Sequence, residues 1–505
     1  MVRSKKANAG TGLLLGLGLF FAVVYGFISA VFNGWVALLL FTPVLPVIFV
    51  LRDFRVGAVF LMFLLPFQSS PILPQFSGFN VVNFIVLATI ASMMINRFSN
   101  KAEFAHWPPI FWWGYMAPIL AGALLGLMHL KQVPDEMDLA AYRAPYLYLT
   151  NVIIKPLFTV LAAWVLATAV IRSKRKELFL IPLTIAAVLP AFLLFAFIAK
   201  SGMSLKVLGG MGSREVLGVL GMHANGFGQY FGIGFTMLLF LTPLAKGFSA
   251  KCGLYLALGI VFAALMLTFS RGGYAVALTG ALAFVVLHRK VRYAFLLAAA
   301  MVVLALFLPE AIIDRVTESF GPAHVQTTIG AARIDPLTAG RIWLWKQLLP
   351  GFWHSPLWGS GVGAVAWSDP VRRGMFAFVH PHNVFLRALL DVGLLGFTVL
   401  FLFFRYIVLG CLRVARAADS APMMVALGQG VAAATVAMFI GDFAGGHYIS
   451  GPEQVILWLG IGMLLPSLVP LMEAHKAAKR KARGGAHPLP AWAPEQAAGS
   501  TPGRP

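Results

Sequence analysis

Residues 380–404 read HPHNVFLRALLDVGLLGFTVLFLFF, and this stretch contains both kinds of segment that make up the chain, a polar loop and an apolar segment. Its first residues end the only long polar loop of the sequence. The apolar segment 383–404 that follows is long enough to cross a bilayer, which requires roughly 20 apolar residues. Similar apolar segments recur along the chain, so we predict an all-α polytopic membrane protein.

Composition supports the same conclusion. Of the 505 residues, 59% are hydrophobic and 11% are charged, and the mean hydropathy is +0.84. No soluble domain needs so much apolar surface, so we predict that most of the chain is surrounded by the lipid of a bilayer. We predict 12–14 spans, and fourteen are placed if every apolar segment crosses. Their approximate bounds are 12–31, 34–51, 56–73, 80–96, 108–128, 152–171, 178–199, 218–243, 252–269, 273–288, 292–309, 383–404, 423–443 and 453–471.

Charge predicts the orientation of these spans. The formal net charge is +21, but lysine and arginine occur in short clusters between apolar segments. This distribution follows the positive-inside rule rather than the pattern of a nucleic-acid-binding surface, and it places both termini in the cytoplasm. The two cysteines, Cys252 and Cys411, adjoin basic cytoplasmic segments, so we predict neither a disulfide nor a metal site.

Four regions follow from this topology. We predict N-terminal transmembrane helices over 1–309, a periplasmic loop over 310–381, C-terminal transmembrane helices over 382–472 and a disordered basic cytoplasmic tail over 473–505. The loop carries five of the twelve tryptophans, a residue that favours the membrane interface. Within it, residues 341–349 suit a short helix on the bilayer surface, which Pro350-Gly351 would end.

Arginine on the predicted outer side is the first chemical signal, because the positive-inside rule should deplete it there. Arg271 lies between two apolar segments with almost no loop to solvate it, and Arg341 and Arg214 lie in outer segments. Arginine suits phosphate because its planar guanidinium donates paired hydrogen bonds. The alternative is that these side chains reach the headgroups and only anchor helix ends. For Arg372 and Arg373, a solvated loop surface is the favoured interpretation.

Histidine is the second signal. Neutral imidazole accepts a proton near pH 7, so His382 could act as a general base that activates a hydroxyl group. His380 shares this possibility, and both share the alternative of a capping or interfacial histidine. His223, Asn225 and Asp391 are polar groups at or in spans, where they must find partners. His223 and Asn225 either line the same cavity or bond to neighbouring helices. Asp391 is either the carboxylate that orients a cationic partner or a member of a buried ion pair.

The sequence resembles a known family in several short motifs. His382-Asn383, followed after nine residues by Gly393 and then Gly396, resembles the signature of O-antigen ligases and related O-oligosaccharyltransferases. Ser270-Arg271-Gly272-Gly273 resembles the Ser-Arg-Gly element of the wider superfamily, which includes O-antigen polymerases. Residues 340–343 (GRIW) and 354–363 (HSPLWGSGVG) resemble its loop elements.

This resemblance implies a metal-independent, inverting membrane glycosyltransferase of the GT-C type in the bacterial inner membrane, without a cofactor. Its donor would be a glycan on undecaprenyl diphosphate and its acceptor a sugar of lipid A-core, with membrane lipids around it and the active site facing the periplasm. His382 would be catalytic, and Arg271, Arg341 and, less closely matched, Arg214 would bind the diphosphate. The alternatives are an O-antigen polymerase with the same donor, a lipid or solute transporter, or a structural membrane scaffold.

Overall fold

The structure, a computed structural model, describes residues 44–484 with internal gaps. The gaps are 71–74, 77–78, 101–102, 135–139, 143, 205–206, 209–216, 219, 296–297, 300–312, 314–322, 328–329, 335–340, 376–379 and 444.

Helices dominate the described part of the chain. Nine of the described helices are long and apolar enough to cross a membrane. These are α4 (Pro109–Leu127), α5 (Pro145–Arg172), α6 (Lys176–Ser201), α7 (Ala224–Leu244), α8 (Phe248–Met266), α9 (Arg271–His288), α11 (Val384–Arg416), α12 (Pro422–Asp442) and α13 (Val455–Gly484). The candidate span that contains most of α13 is Pro452–Lys479. Shorter or less apolar helices are α1 (Val44–Arg52), α2 (Phe54–Phe67), α3 (Val81–Asn100) and α10 (Arg341–His354).

These helices confirm the prediction of a helical polytopic membrane protein. Eleven of the fourteen predicted segments coincide with described helices from α2 to α13. In the segment 56–73, helix α2 ends at Phe67 with a 3₁₀ turn that contains Pro66, and residues 71–73 lie outside the described residues. The predicted spans 12–31 and 292–309 fall mainly outside the described residues, as does most of 34–51.

Two short antiparallel hairpins accompany the helices. Strand β1 (Gln75–Phe76) pairs with β2 (Phe79–Asn80), and β3 (Ala323–Thr327) pairs with β4 (Gly330–Ile334). Both lie between apolar segments, where the backbone needs partners other than a helix. The second hairpin is part of the predicted 310–381 loop, which therefore contains strands as well as helix α10.

Two predicted helix ends were wrong. Helix α10 continues through Pro350-Gly351 to His354, because Leu344 and Leu348 are buried in one apolar cluster with Leu386 and Leu390 of α11. Packing therefore outweighs the hydrogen bond that Pro350 removes from the exposed side of the helix. The segment 473–484, which we assigned to the disordered tail, is also helical, as α13 runs over Val455–Gly484. It is rich in alanine and lysine, which are good helix formers.

Glycines bring three of the spans unusually close together. A side chain at Gly273 in α9 would come within 2.6 Å of the backbone of Gly228 in α7. A side chain at Gly272 would meet the carbonyl oxygen of Gly441, near the end of α12, at 3.2 Å. The first turns of α7 and α9 therefore pack beside the last turn of α12. This end of the bundle also holds the start of α11, and it carries the polar residues described next.

Candidate functional site

The first turn of α9 carries Arg271 and is joined to the first turn of α7. Ser270 caps α9, because its hydroxyl oxygen accepts a hydrogen bond of 3.2 Å from the backbone N–H of Gly273. The same hydroxyl donates to Oδ1 of Asn225 at 3.3 Å. His223 caps α7, with Nδ1 accepting from the backbone N–H of Asn225. The structure therefore brings the predicted Asn225 and His223 to the helix start at which Arg271 stands.

A buried carboxylate lies beside these helix starts. Asp442 ends α12 and accepts a hydrogen bond of 2.8 Å from the side-chain amide of Gln229 in α7. Both side chains are buried. Sequence reasoning missed Asp442, although a carboxylate at the end of an apolar span is a recognisable signal.

The start of α11 holds His380, His382 and Asn383 in a fixed geometry. Asn383 caps the helix, because Oδ1 accepts from the backbone N–H groups of Phe385 and Leu386 at 2.9 and 3.0 Å. His382 has a φ of 50°, in the left-handed region that non-glycine residues seldom adopt. Its backbone N–H donates to Nδ1 of His380 at 2.9 Å, and the two imidazole rings lie 5.1 Å apart. His380 therefore supports the unusual backbone conformation of His382.

Two residues that the sequence analysis missed join this histidine pair. The ring of His447, in the segment between α12 and α13, lies 4.6 Å from the ring of His380. Arg387, in the first turns of α11, donates a short hydrogen bond to Nδ1 of His447. The pattern did offer a signal for Arg387, since it is a charged residue inside an apolar segment, four positions before Asp391. His447 had no such signal among eleven histidines.

Asp391 connects this cluster to the rest of the protein. Its Oδ1 accepts from the backbone N–H groups of Gly363 and Ala364 at 3.0 Å each. Its Oδ2 accepts from the hydroxyl of Tyr448 at 3.0 Å and lies 3.4 Å from Nε of Arg387. The two predicted roles of Asp391 therefore coincide, because it is a buried ion-pair member and it orients a cationic partner.

The electrostatics of the cluster keep its supporting imidazoles neutral. Burial lowers the pKa of His380 well below its usual value, and the charges of His447 and Arg387 lower it further. Burial also lowers the pKa of His447, with Arg387 as the next cause. Charging either ring beside a guanidinium would cost free energy. Both rings are therefore neutral at pH 7 and can accept or donate hydrogen bonds.

Gly393, one of the glycines of the motif that begins at His382, allows a loop to pack closely against α11. Gly393 has a φ of 64° at a kink, and a side chain there would come within 2.4 Å of the backbone of Leu357. The backbone N–H of Leu394 donates to the carbonyl of Pro356 at 2.8 Å, and that of Ser360 donates to Leu390. The loop motif 354–363 thus fits into the kink and delivers the N–H groups that Asp391 binds.

Helix α10, which carries Arg341, is anchored next to His382. Arg341 is the first residue of α10, one turn before Trp345. The indole N–H of Trp345 donates to the carbonyl of Pro381 at 2.8 Å, and its ring contacts that of Phe443. The helix that carries Arg341 is therefore anchored to the residue that precedes His382.

The remaining predicted residues divide into two groups. Arg214 lies outside the described residues, so its predicted role stays a prediction. Arg372 and Arg373 are exposed, and Arg372 pairs with Asp369, which agrees with a solvated loop surface. Cys252 and Cys411 are both free. Among the described residues, no group of three or more His, Cys, Asp or Glu side chains could hold a metal ion.

Two cavities adjoin the cluster. A polar cavity of about 240 Å³ is lined by Arg387 and His447 together with Lys155 and Glu453. An apolar groove of about 550 Å³ lies between α11 and α12, from Phe385 and Phe443 at the histidine end to Arg405. The site therefore offers charge, neutral imidazole, a polar cavity and an apolar groove side by side.

Comparison with known proteins agrees with the motifs. Residues 256–401 match a family model described as O-antigen ligase. This segment contains Arg271, Arg341, His380, His382 and Asp391, and the match confirms the resemblance to the O-antigen ligase family. No curated protein is similar enough to the chain to count as a match.

Proposed function

We propose that the protein is an O-antigen ligase, which transfers a glycan from undecaprenyl diphosphate to a sugar hydroxyl of lipid A-core. The proposal includes a GT-C-type bundle in the bacterial inner membrane, with the site on the periplasmic side. The observation that carries it is one of position. The start of α9 with Arg271 and the start of α11 with His382 both adjoin the end of α12, where Gly272 lies against Gly441 and the ring of Phe385 lies 6.3 Å from that of Phe443. Both belong to the segment that matches the ligase family.

The start of α9 suits the diphosphate of the donor. Arg271 is partly buried there, and the backbone N–H groups of a helix N-terminus add partial positive charge. Arg341, at the start of α10, would approach from the loop side, and Arg214 is a third candidate. Preorganised positive charge would stabilise the diphosphate as negative charge develops on it during departure.

The start of α11 suits proton transfer. In the proposed step, the acceptor hydroxyl oxygen attacks the anomeric carbon and its proton moves to the imidazole of His382. The bond from the anomeric carbon to the diphosphate oxygen breaks, and the diphosphate leaves with the electron pair. A single displacement of this kind inverts the anomeric configuration. His380 and His447, held neutral beside Arg387, act as positioning residues for His382.

The groove between α11 and α12 suits the lipid part of the donor. Its lining includes Phe401, Val436 and Ile440, which are exposed on membrane-spanning helices and therefore face lipid. It begins beside Phe385 and Phe443, two residues that flank the histidine cluster. A polyprenyl chain in this groove would present its diphosphate at the end of the bundle where Arg271 stands.

A reconstituted transfer assay tests the proposal and separates it from a polymerase. The purified protein in lipid vesicles receives undecaprenyl diphosphate-linked glycan, with lipid A-core in one arm and without it in the other. We expect glycan on lipid A-core, at an undiminished rate with a chelator and without nucleotide, because arginines supply the positive charge. Longer glycan on the carrier in both arms would show a polymerase. Activity that is lost with the chelator and restored by magnesium or manganese would contradict the proposed mechanism.

A further inference from the structure

The polar cavity of about 240 Å³ has a composition that the transfer step does not explain. Arg387 and His447 form the part of its wall that is shared with the histidine cluster. Its other lining residues include Lys155 and Asn151 of α5 and Glu453 at the start of the last span. The cavity is thus separated from His380 by one imidazole ring, that of His447.

Two side chains that line the cavity, Glu453 and Lys155, can carry opposite charges and are not paired with each other. Glu453 is a buried residue with 8% of its surface exposed, and no cationic side chain of the described residues forms an ion pair with it. Lys155 donates one hydrogen bond of 2.8 Å, to Oδ1 of Asn151, which is fewer than an ammonium group can donate. Buried polar groups normally have hydrogen-bond partners, and a buried charge is costly without one. The cavity therefore has donors and acceptors available for a ligand.

We propose that this cavity binds a single sugar ring of one of the two substrates, with Lys155, Asn151 and Glu453 as its specificity-determining residues. The inference rests on the proposed glycan transfer and deepens it. A sugar hydroxyl both donates and accepts, so one ring can donate to the Glu453 carboxylate while it accepts from Lys155 and Arg387. The donor glycan and the acceptor core share this chemistry, and the experiment distinguishes them.

Size and charge disfavour the other substrate parts. Pockets for drug-sized ligands are typically about 300–1,000 Å³, so 240 Å³ suits one ring rather than an oligosaccharide. A lipid chain would leave the charged groups without partners. A diphosphate offers acceptor oxygens but no donor, so it would not satisfy the carboxylate oxygens of Glu453. A neutral, hydroxyl-rich ring meets none of these costs.

Equilibrium binding tests the proposal without relying on catalysis. The full-length protein in lipid nanodiscs is titrated with core oligosaccharide freed of lipid A, and separately with glycan released from its carrier. Glu453→Gln keeps the shape but removes the charge, and Lys155→Met removes the donor. We expect each variant to weaken one of the two ligands by roughly ten-fold to a hundred-fold, the range for lost hydrogen bonds to charged groups. Binding of glycan-free undecaprenyl diphosphate should not change.

Matched controls come from the same two residue types. Glu473→Gln alters an exposed carboxylate on α13, the helix that follows Glu453, and Lys200→Met alters an exposed lysine at the end of α6. Neither lines the cavity, so neither should change binding. Thermal melting of every variant checks folding, and an unfolded Lys155→Met would be replaced by Asn151→Ala, which removes a smaller group from the same wall.

The outcomes separate the two claims. Weakened binding of core oligosaccharide alone assigns the cavity to the acceptor, and weakened binding of released glycan alone assigns it to the donor. Unchanged binding of both ligands by a folded Glu453→Gln and a folded Lys155 or Asn151 variant overturns the subsite. If the wild type binds a ligand through Glu453 but transfers nothing, the subsite stands and the proposed transfer fails.

Discussion

Removal of one partner of the buried ion pair between Arg387 and Asp391 should lower stability markedly, and a double-mutant cycle can measure the coupling between the two side chains. The two side chains have only 13% and 1% of their surface exposed and approach to 3.4 Å. Asp391→Asn keeps one carbonyl oxygen for the N–H groups of Gly363 and Ala364, so those bonds survive. What it removes is the counter-charge of Arg387, whose guanidinium would then be buried beside an amide N–H group.

The expected cost follows from this geometry. Removal of one partner of a buried ion pair typically costs about 3–5 kcal/mol. Arg387 lines a polar cavity that hydrates part of the guanidinium, so we expect the lower end, about 3 kcal/mol, for Asp391→Asn. Arg387→Met in the Asp391→Asn background should cost much less than Arg387→Met alone. The coupling free energy should therefore be about 1–2 kcal/mol, within the usual range for residues in contact.

The assay is reversible unfolding in mixed detergent micelles, measured for the wild type, both single variants and the double variant. The matched control is the pair Arg372–Asp369, whose side chains are 49% and 44% exposed. Exposed pairs contribute about 0–1 kcal/mol, so Arg372→Met with Asp369→Asn should show little coupling. A coupling for Arg387 and Asp391 no larger than that of the control would refute the account of Asp391 as the connection between α11, the loop 354–363 and Tyr448.

Three further predictions concern charge, topology and pH. Arg271→Lys keeps a positive charge but loses the planar guanidinium, so transfer should fall at equal protein levels, and wild-type activity would remove Arg271 from diphosphate binding. Single cysteines in place of Ser319 and Ala339 should react with an impermeant thiol reagent on intact spheroplasts, in a background with Cys252 replaced. Labelling only after lysis would reverse the predicted orientation. Because the pKa values of His380 and His447 are lowered in the folded protein, the unfolded chain takes up more protons as the pH falls. Thermal stability should therefore decrease below about pH 6.5, the ordinary histidine pKa. This decrease in thermal stability with falling pH should be shallower in His447→Gln. It should be unchanged in His354→Gln, which alters an exposed histidine. Equal pH slopes of thermal stability in both variants would count against buried neutral imidazoles.

Much of the fold could be predicted from the sequence because the bilayer imposes a simple rule. A span must be apolar over roughly 20 residues, and the apolar segments from 80–96 to 453–471 locate most helices closely. The rule carries no information outside the bilayer. The hairpin β3–β4 lies in the long polar loop, to which the rule does not apply, and the continuation of α10 through Pro350 depends on contacts that are distant in sequence, such as the packing of Leu344 against α11.

The residues of the candidate site also differ in how well the sequence predicts them. His382, Arg271 and Asp391 stand out in the sequence because each is a polar residue at or in an apolar segment, and motifs of the family surround them. Arg387 was overlooked although it meets the same criterion. His447 and Glu453 could not be selected from sequence, because their importance arises from proximity. His447 comes into contact with His380 only when the segment after α12 folds back onto the start of α11.

His380 shows why position along the chain is an incomplete guide to role. From sequence, it is an equivalent of His382 two residues earlier. In the structure, Nδ1 of His380 accepts a hydrogen bond from the backbone N–H of His382 and thereby supports the left-handed conformation of His382. Such a conformation costs on the order of 1–3 kcal/mol and persists where its surroundings maintain it. His380→Ala should consequently impair transfer through His382, but to a smaller extent than loss of His382 itself.

The rate of glycan transfer by His382→Ala, beside His380→Ala and the wild type, tests the central claim most directly. Each purified protein receives the same undecaprenyl diphosphate-linked glycan and lipid A-core, and donor binding is measured in parallel. If His382 is the general base, its loss should lower the rate by about a hundred- to ten-thousand-fold. Donor binding should remain close to that of the wild type, since other residues hold the diphosphate. The transfer rate of His380→Ala should lie between the rates of the wild type and His382→Ala. Transfer by His382→Ala at the wild-type rate would contradict the account.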